Sequence, residues 1–126
     1  MPARLEITPE ELTAYRDTLK RRGEAERHEL GLRREHAWET ARRAATFLKE
    51  SLGASQVLVF GSLSHGHWFS RTSDIDLAAW GIKSEDFFQA VARLQDISPQ
   101  FKIDLVRMED CKPALREAIL KAGKPL

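Results

Sequence analysis

Two aspartates inside an apolar segment restrict the fold of this chain more than any other feature. Asp74 and Asp76 are separated by Ile75 and are followed by the sequence Leu-Ala-Ala-Trp. Because side chains in a strand alternate between its two faces, both carboxylates point to one face while Ile75 and Leu77 point to the other. An ionised carboxylate that is buried without a partner costs much free energy. We therefore expect a strand near residues 74–80 that directs both carboxylates at a shared partner.

Asp104 repeats this pattern in a second apolar segment, Phe-Lys-Ile-Asp-Leu-Val at residues 101–106. If the strand that holds Asp104 lies beside the strand near residues 74–80, three carboxylates meet on one face. Such close like charges repel each other and raise at least one pKa unless a cation intervenes. Carboxylate oxygens at this spacing suit Mg²⁺ or Mn²⁺, which also bind substrate phosphates. We therefore predict that Asp74, Asp76 and Asp104 are metal ligands and catalytic residues, sufficient in number to hold two metal ions.

A glycine–serine pair, Gly61 and Ser62, follows the apolar run Gln-Val-Leu-Val-Phe at residues 56–60. Such a run is typical of a strand that is buried on both faces. Glycine lets the chain turn sharply and leaves space for a ligand close to the backbone. Ser62 can cap a short helical turn whose free N–H groups bind an anion, and Gly66 gives further access to the backbone. These residues predict a phosphate-binding turn beside the carboxylates.

The first part of the chain, residues 8–52, is rich in Glu, Arg, Leu and Ala and has a helical composition. The sequence Thr-Pro-Glu-Glu from Thr8 contains the capping and first-turn residues of a helix start. Gly23 follows three basic residues, as at a helix C-terminus, and Gly53 ends the segment. We predict an antiparallel helical hairpin over residues 1–52, with one helix on each side of Gly23.

The second part, residues 53–126, alternates between strand and helix signals. Its predicted elements are strands near residues 56–60, 74–80 and 101–106 and helices near residues 85–95 and 113–122. This order predicts an α+β domain built on a short mixed sheet.

Charge and cysteine content restrict the partners and the compartment. The chain has 20 basic and 19 acidic residues, a formal net charge of +1. Basic pairs such as Arg33 and Arg34 are interleaved with glutamates and are expected to be solvated, so no nucleic-acid partner is expected. Cys111 is the single cysteine, which suits a reducing cytosol, and no segment is apolar over a membrane-spanning length. We therefore expect a cytoplasmic protein without a membrane partner.

The chain contains, in this order, Gly-Ser, a short loop, Ser-Asp-Ile-Asp-Leu and a later Asp in an apolar strand. Together these motifs resemble the DNA-polymerase-β-type nucleotidyltransferase superfamily, and within it the minimal nucleotidyltransferases. The resemblance covers about residues 52–123 and implies the palm sheet of that superfamily. It implies that Gly61 and Ser62 bind the triphosphate. It also implies that three residues bind metal ions: Asp74, Asp76 and Asp104. The resemblance also implies that Asp104 activates the acceptor.

Two positions depart from the usual pattern of this superfamily. Eleven residues separate Ser62 from Asp74, one more than in the commonest pattern. His65 stands where an arginine often precedes the second glycine, so the phosphate-facing cation expected there is weaker and depends on pH. We predict that His65 and Gly66 nevertheless belong to the nucleotide-binding turn.

The resemblance implies transfer of a nucleoside monophosphate, most readily AMP from ATP with Mg²⁺ or Mn²⁺, onto a hydroxyl group. Many members of the family are partners of HEPN (higher-eukaryote-and-prokaryote nucleotide-binding) toxins, and some transfer AMP onto a toxin tyrosine. A HEPN toxin is therefore the expected partner, with this chain as its antitoxin. Two alternatives stay open: a non-catalytic module that neutralises a toxin by covering it, and an aminoglycoside-type enzyme that modifies a small molecule. Self-association through the N-terminal helices also stays open.

Overall fold

The computed structural model describes residues 6–66 and 69–126. The elements follow one another in the order helix α1 (Pro9–Leu52), strand β1 (Gln56–Phe60), helix α2 (Gly61–His65), strand β2 (Ile75–Trp80), helix α3 (Phe87–Gln95), strand β3 (Ile103–Arg107), helix α4 (Pro113–Ala122) and strand β4 (Lys124–Pro125). Short 3₁₀ turns at Ser84–Asp86 and Met108–Asp110 precede α3 and α4. Within the described residues, no helix combines the length with the apolar character that a membrane span requires.

The four strands form one sheet in the order β3-β2-β1-β4. β1 is antiparallel to both β2 and β4, whereas β2 and β3 are parallel. Parallel strands need a crossover connection, and α3 lies in the segment that connects β2 to β3. The predicted α+β class with a short mixed sheet is confirmed.

One face of the sheet is partly covered by a buried apolar cluster. Leu58 of β1 and Ala78 of β2 pack there with Met108 and with Ile119 of α4. Because side chains two residues apart share a face of a strand, Asp76 lies on the same face as Ala78. The carboxylate therefore stands beside the apolar cluster and is only partly open to solvent.

Helix α1 shows that the predicted hairpin is wrong, because a single helix runs from Pro9 to Leu52 and passes through Gly23. The predicted start is correct, since the Glu11 N–H donates a hydrogen bond of 3.1 Å to Oγ1 of Thr8. A glycine inside a helix costs only about 1 kcal/mol relative to alanine, and strong helix formers flank Gly23 on both sides. That cost is too small to end the helix.

The chain divides into two compact units, one that ends at Leu32 and one that spans Arg33–Leu126, and α1 contributes residues to both. In the second unit, α1 has an apolar stripe at helical spacing that is buried at four positions: Ala37, Ala41, Ala44 and Leu48. Division of the chain into residues 1–52 and 53–126 stays a prediction.

Candidate active site

Asp76 and Asp104 lie side by side on neighbouring strands. β2 and β3 are parallel, and their register pairs Asp76 with Asp104. Adjacent strands are about 4.8 Å apart, and paired residues project to the same face of the sheet. The structure therefore brings two of the three predicted carboxylates together from two different strands.

Asp74 is the third carboxylate and directly precedes β2. Its side chain is half-buried. The negative charge of Asp74 contributes to raising the pKa of Asp76. Both other predicted carboxylates, Asp74 and Asp104, therefore act electrostatically on Asp76.

Gly61 approaches the carboxylate of Asp76 from the opposite side. The register of β1 and β2 places Phe60, the last residue of β1, opposite Asp76. Gly61 follows with a φ of +71°, and a Cβ at this position would overlap Oδ2 of Asp76. Glycine avoids both that overlap and the cost of a left-handed backbone for other residues. The predicted turn therefore begins in contact with the carboxylates.

The other predicted nucleotide-binding residues, Ser62, His65 and Gly66, lie in α2 and its C-terminal cap. Gly66 has a φ of +74° and donates its N–H to the carbonyl oxygen of Ser62 at 2.8 Å. Ser62 is half-buried and His65 is exposed. Oγ of Ser64 donates a 2.9 Å hydrogen bond to the carbonyl oxygen of Ala122, which ties α2 to the end of α4. One short, anchored turn therefore holds all these residues.

Burial, followed by the negative charges of Asp104 and Asp74, raises the pKa of Asp76 from 3.8 to about 6. Lys102 opposes this change, and its Nζ lies 3.6 Å from Oδ1 of Asp104. The Lys102 side chain is 68% exposed, and exposed ion pairs are weak. The carboxylates therefore carry more negative charge than Lys102 neutralises, and a bound cation would relieve the repulsion.

The donor chemistry of these carboxylates fits Mg²⁺ or Mn²⁺ that is bound together with a nucleotide. In residues 6–66 and 69–126, no group of three or more His, Cys, Asp or Glu side chains is arranged so that it could hold a metal ion by itself. Mg²⁺ usually binds proteins through one or two carboxylates and completes its coordination with water and substrate phosphates. The adjacent pair of Asp76 and Asp104 meets that requirement.

Arg33 of α1 reaches the loop that precedes the carboxylates, although the sequence pattern assigns it to a solvated pair. Its guanidinium donates to the carbonyl oxygens of Ser70 and Ser73, each at 3.4 Å. The same guanidinium lies 4.3 Å from the ring centroid of Phe101. Arg33 therefore connects α1 to the segment that leads into Asp74.

Arg34 is a second α1 residue that the sequence pattern misses, and its guanidinium lies against Gly66. A sequence signal for both arginines exists in the apolar stripe of α1. Arg34 and Arg33 stand three and four residues before the buried Ala37, which is the spacing of neighbours on one helix face. Extending the stripe by one turn would have directed both arginines toward the sheet domain.

Residues 43–126 match the protein family described as Polymerase beta, Nucleotidyltransferase. That segment covers two thirds of the chain and contains the three carboxylates and the Gly61–Gly66 turn. No curated protein matches the sequence significantly.

Several solved structures have a similar fold. A chain of the toxin–antitoxin complex MntA–HepT aligns with a TM-score of 0.54 at 16% identity, covering 70% of this chain and 69% of that chain. A chain of a toxin–antitoxin structure with AMP-PNP aligns with a TM-score of 0.55 at 23% identity, covering 64% and 66%. A chain from the complex of tri-AMPylated Shewanella oneidensis HEPN toxin with MNT antitoxin aligns with a TM-score of 0.55 at 17% identity, covering 71% and 70%. At these identities the likeness is one of fold.

Proposed function

Because the chain belongs to the polymerase beta nucleotidyltransferase family, we propose that it transfers AMP from ATP, with Mg²⁺ or Mn²⁺, onto a hydroxyl group of a partner protein. One observation carries this proposal: the carboxylates of Asp76 and Asp104 are paired on parallel strands, next to a glycine turn that touches Asp76. Phosphoryl-type transfer needs mainly positioning and charge stabilisation, and this arrangement offers both.

Each part of the site has a proposed role in this reaction. Metal ions held by Asp74, Asp76 and Asp104 would neutralise the phosphates and lower the pKa of the attacking hydroxyl. The Asp104 side chain is 45% exposed, so an acceptor can reach it, and we assign it to orient the hydroxyl and accept its proton. The hydroxyl oxygen then bonds to the α-phosphorus, the bond from that phosphorus to the bridging oxygen breaks, and pyrophosphate leaves.

The turn from Gly61 to Gly66 is the proposed site for the triphosphate. Ser62, His65 and the backbone N–H groups at the start of α2 would bind the phosphate oxygens. The contact between Gly61 and Asp76 supports this assignment, because it leaves no side chain between the turn and the carboxylates.

A HEPN toxin is the proposed acceptor, which would make this chain an antitoxin. The solved chains of similar fold support this part of the proposal, because they come from toxin–antitoxin structures. One of these structures contains AMP-PNP, and another contains a tri-AMPylated HEPN toxin.

The test is a transfer assay with a HEPN protein as the candidate acceptor. The purified pair is incubated with Mg²⁺ and ATP labelled at the α-phosphate, and the proteins are separated by electrophoresis. We expect label on the HEPN protein with α-labelled ATP and none with γ-labelled ATP. Asp76→Asn and Asp104→Asn should each abolish labelling, whereas Asp17→Asn, at an exposed position of α1, should leave it unchanged.

Two results would contradict the proposal. Undiminished labelling by the Asp76→Asn variant would show that the Asp76 carboxylate is not needed for the reaction. Neutralisation of the toxin by that variant, with no labelling by any form of the protein, would establish the covering module instead.

A further inference from the structure

The guanidinium of Arg34 lies directly against Gly66 at the end of α2. A Cβ placed on Gly66 would be 2.5 Å from Nη2 and 2.8 Å from Cζ of Arg34. Gly66 also has a φ of +74°, a backbone conformation that favours glycine. A cation from α1 therefore lies against the turn that follows Gly61.

Arg34 has a hydrogen-bond donor that the described part of the chain does not use. Its Nε is buried and has no hydrogen-bond partner among residues 6–66 and 69–126. Native proteins rarely leave a buried donor unpaired, because its lost hydration is not replaced. A guanidinium presents five N–H donors in a planar fork that matches the oxygens of a phosphate. A phosphate bound here would therefore satisfy this donor and its charge together.

The turn itself offers no permanent cation to a triphosphate. Residues 61–66 contain neither lysine nor arginine, and His65 is their only basic side chain. Five residues at about 1.5 Å each place Gly66 about 7.5 Å along α2 from Gly61. That length is comparable to a triphosphate chain, so an α-phosphate at the carboxylates would leave the terminal phosphates near Arg34.

Arg33 fixes this part of α1 beside the site. It donates to the carbonyl oxygens of Ser70 and Ser73 and stacks on Phe101. The backbone from which Arg34 extends is therefore held in place before a ligand binds, which lowers the entropy lost on binding.

We infer that Arg34 is a nucleotide-binding residue whose guanidinium contacts the β- or γ-phosphate of the bound triphosphate. The inference rests on the proposed function and names a residue for it that lies outside the family match at residues 43–126. Arg34 supplies from α1 the permanent positive charge that the turn lacks.

Isothermal titration calorimetry with Mg²⁺ and ATP, ADP or AMP tests this inference on the full chain. Arg34→Ala should weaken ATP binding about 10- to 100-fold, the usual effect of losing a charge-assisted hydrogen bond. AMP binding should change less than about twofold, because AMP has no terminal phosphates for Arg34 to contact. Arg34→Lys should fall between Arg34→Ala and the wild type, since lysine keeps the charge but loses the fork. Arg42→Ala removes an exposed arginine of the same helix and should bind all three nucleotides like the wild type.

The outcomes separate this inference from the function on which it rests. If the wild type binds ATP and Arg34→Ala binds it equally well, the inference is overturned and the proposed function stands. Equal weakening of ATP and AMP binding would assign Arg34 a structural role and would also overturn the inference. If the wild type binds no nucleotide with Mg²⁺, both fail.

Discussion

Replacing Asp76 by asparagine should stabilise the metal-free protein at about pH 8, although it removes a residue of the proposed site. The pKa of this carboxyl is raised to about 6 by burial and by Asp104 and Asp74, against the opposing effect of Lys102. A pKa change of one is equivalent to about 1.4 kcal/mol, so the upper limit of the effect is about 3 kcal/mol. Because the carboxylate is only half-buried, solvent screening reduces our expected gain to about 1–2 kcal/mol.

The sign follows from the protons bound in each state. Between about pH 4 and pH 6, the folded protein holds a proton on Asp76 that the unfolded chain has already lost, so the free energy of unfolding falls as the pH rises. The loss of stability caused by ionising Asp76 in the folded protein is therefore absent below about pH 4 and complete above about pH 6. The Asp76→Asn variant lacks this titration, so its advantage over the wild type should grow through that interval and then stay constant.

Urea unfolding in the presence of EDTA, at a series of pH values from about 4 to 8, measures this difference. Asp17→Asn, which removes an exposed carboxylate of α1, is the matched control and should stay within about 0.5 kcal/mol of the wild type. Equal stability of wild type and Asp76→Asn at pH 8 would refute the reasoning. A gain that does not vary with pH would refute it as well, because it would have a cause other than the charge.

Three further substitutions test other contacts of the site. Gly61→Ala should lower the free energy of unfolding by about 1–3 kcal/mol and abolish ATP binding, because φ is positive at this position and a Cβ would overlap Asp76. Urea unfolding measures the first effect and calorimetry the second, and unchanged stability and ATP binding would contradict the geometry. Lys102→Ala removes the cation that opposes the pKa change of Asp76, so the upper end of the pH interval described above should rise while its lower end, set by the unfolded chain, stays. Urea unfolding over the same pH series measures this, and an unchanged upper end would contradict the effect of Lys102 on Asp76. Arg33→Ala should lower the free energy of unfolding by about 1 kcal/mol, since three long hydrogen bonds and one ring contact are lost. Urea unfolding measures this difference, and an unchanged free energy of unfolding would show that these contacts do not stabilise the fold.

The strands of the site could be predicted because local sequence signals mark where they begin and end. A continuous apolar run between Gly53 and Gly61 predicts residues 56–60, and β1 has these bounds. Alternation in the two Asp-containing segments predicts that each buries its apolar neighbours and directs its carboxylate to the other face. The family match confirms the resemblance drawn from these motifs.

Other features could not be predicted because the local signals were ambiguous or absent. Helix α3 carries apolar residues on more than one side, so its sequence alone does not indicate which side is buried. Phe88 is 83% exposed, while Ala90 and Leu94 are buried. Strand β4 has only two residues, Lys124–Pro125. Such a short strand forms only because it can pair with β1, and no local sequence pattern reveals that pairing.

The position of the arginines shows why a family pattern describes this site incompletely. The matched segment begins at Arg43, after both Arg33 and Arg34, and yet these two residues contact the loop before Asp74 and the turn at Gly66. Successive residues of a helix differ in direction by about 100°, so two adjacent arginines on one turn can reach two different segments. Carboxylates and glycines can be found by spacing because neighbouring strands bring them together. The arginines reach the same place only through the packing of α1, so their contribution depends on the helix as much as on their own chemistry.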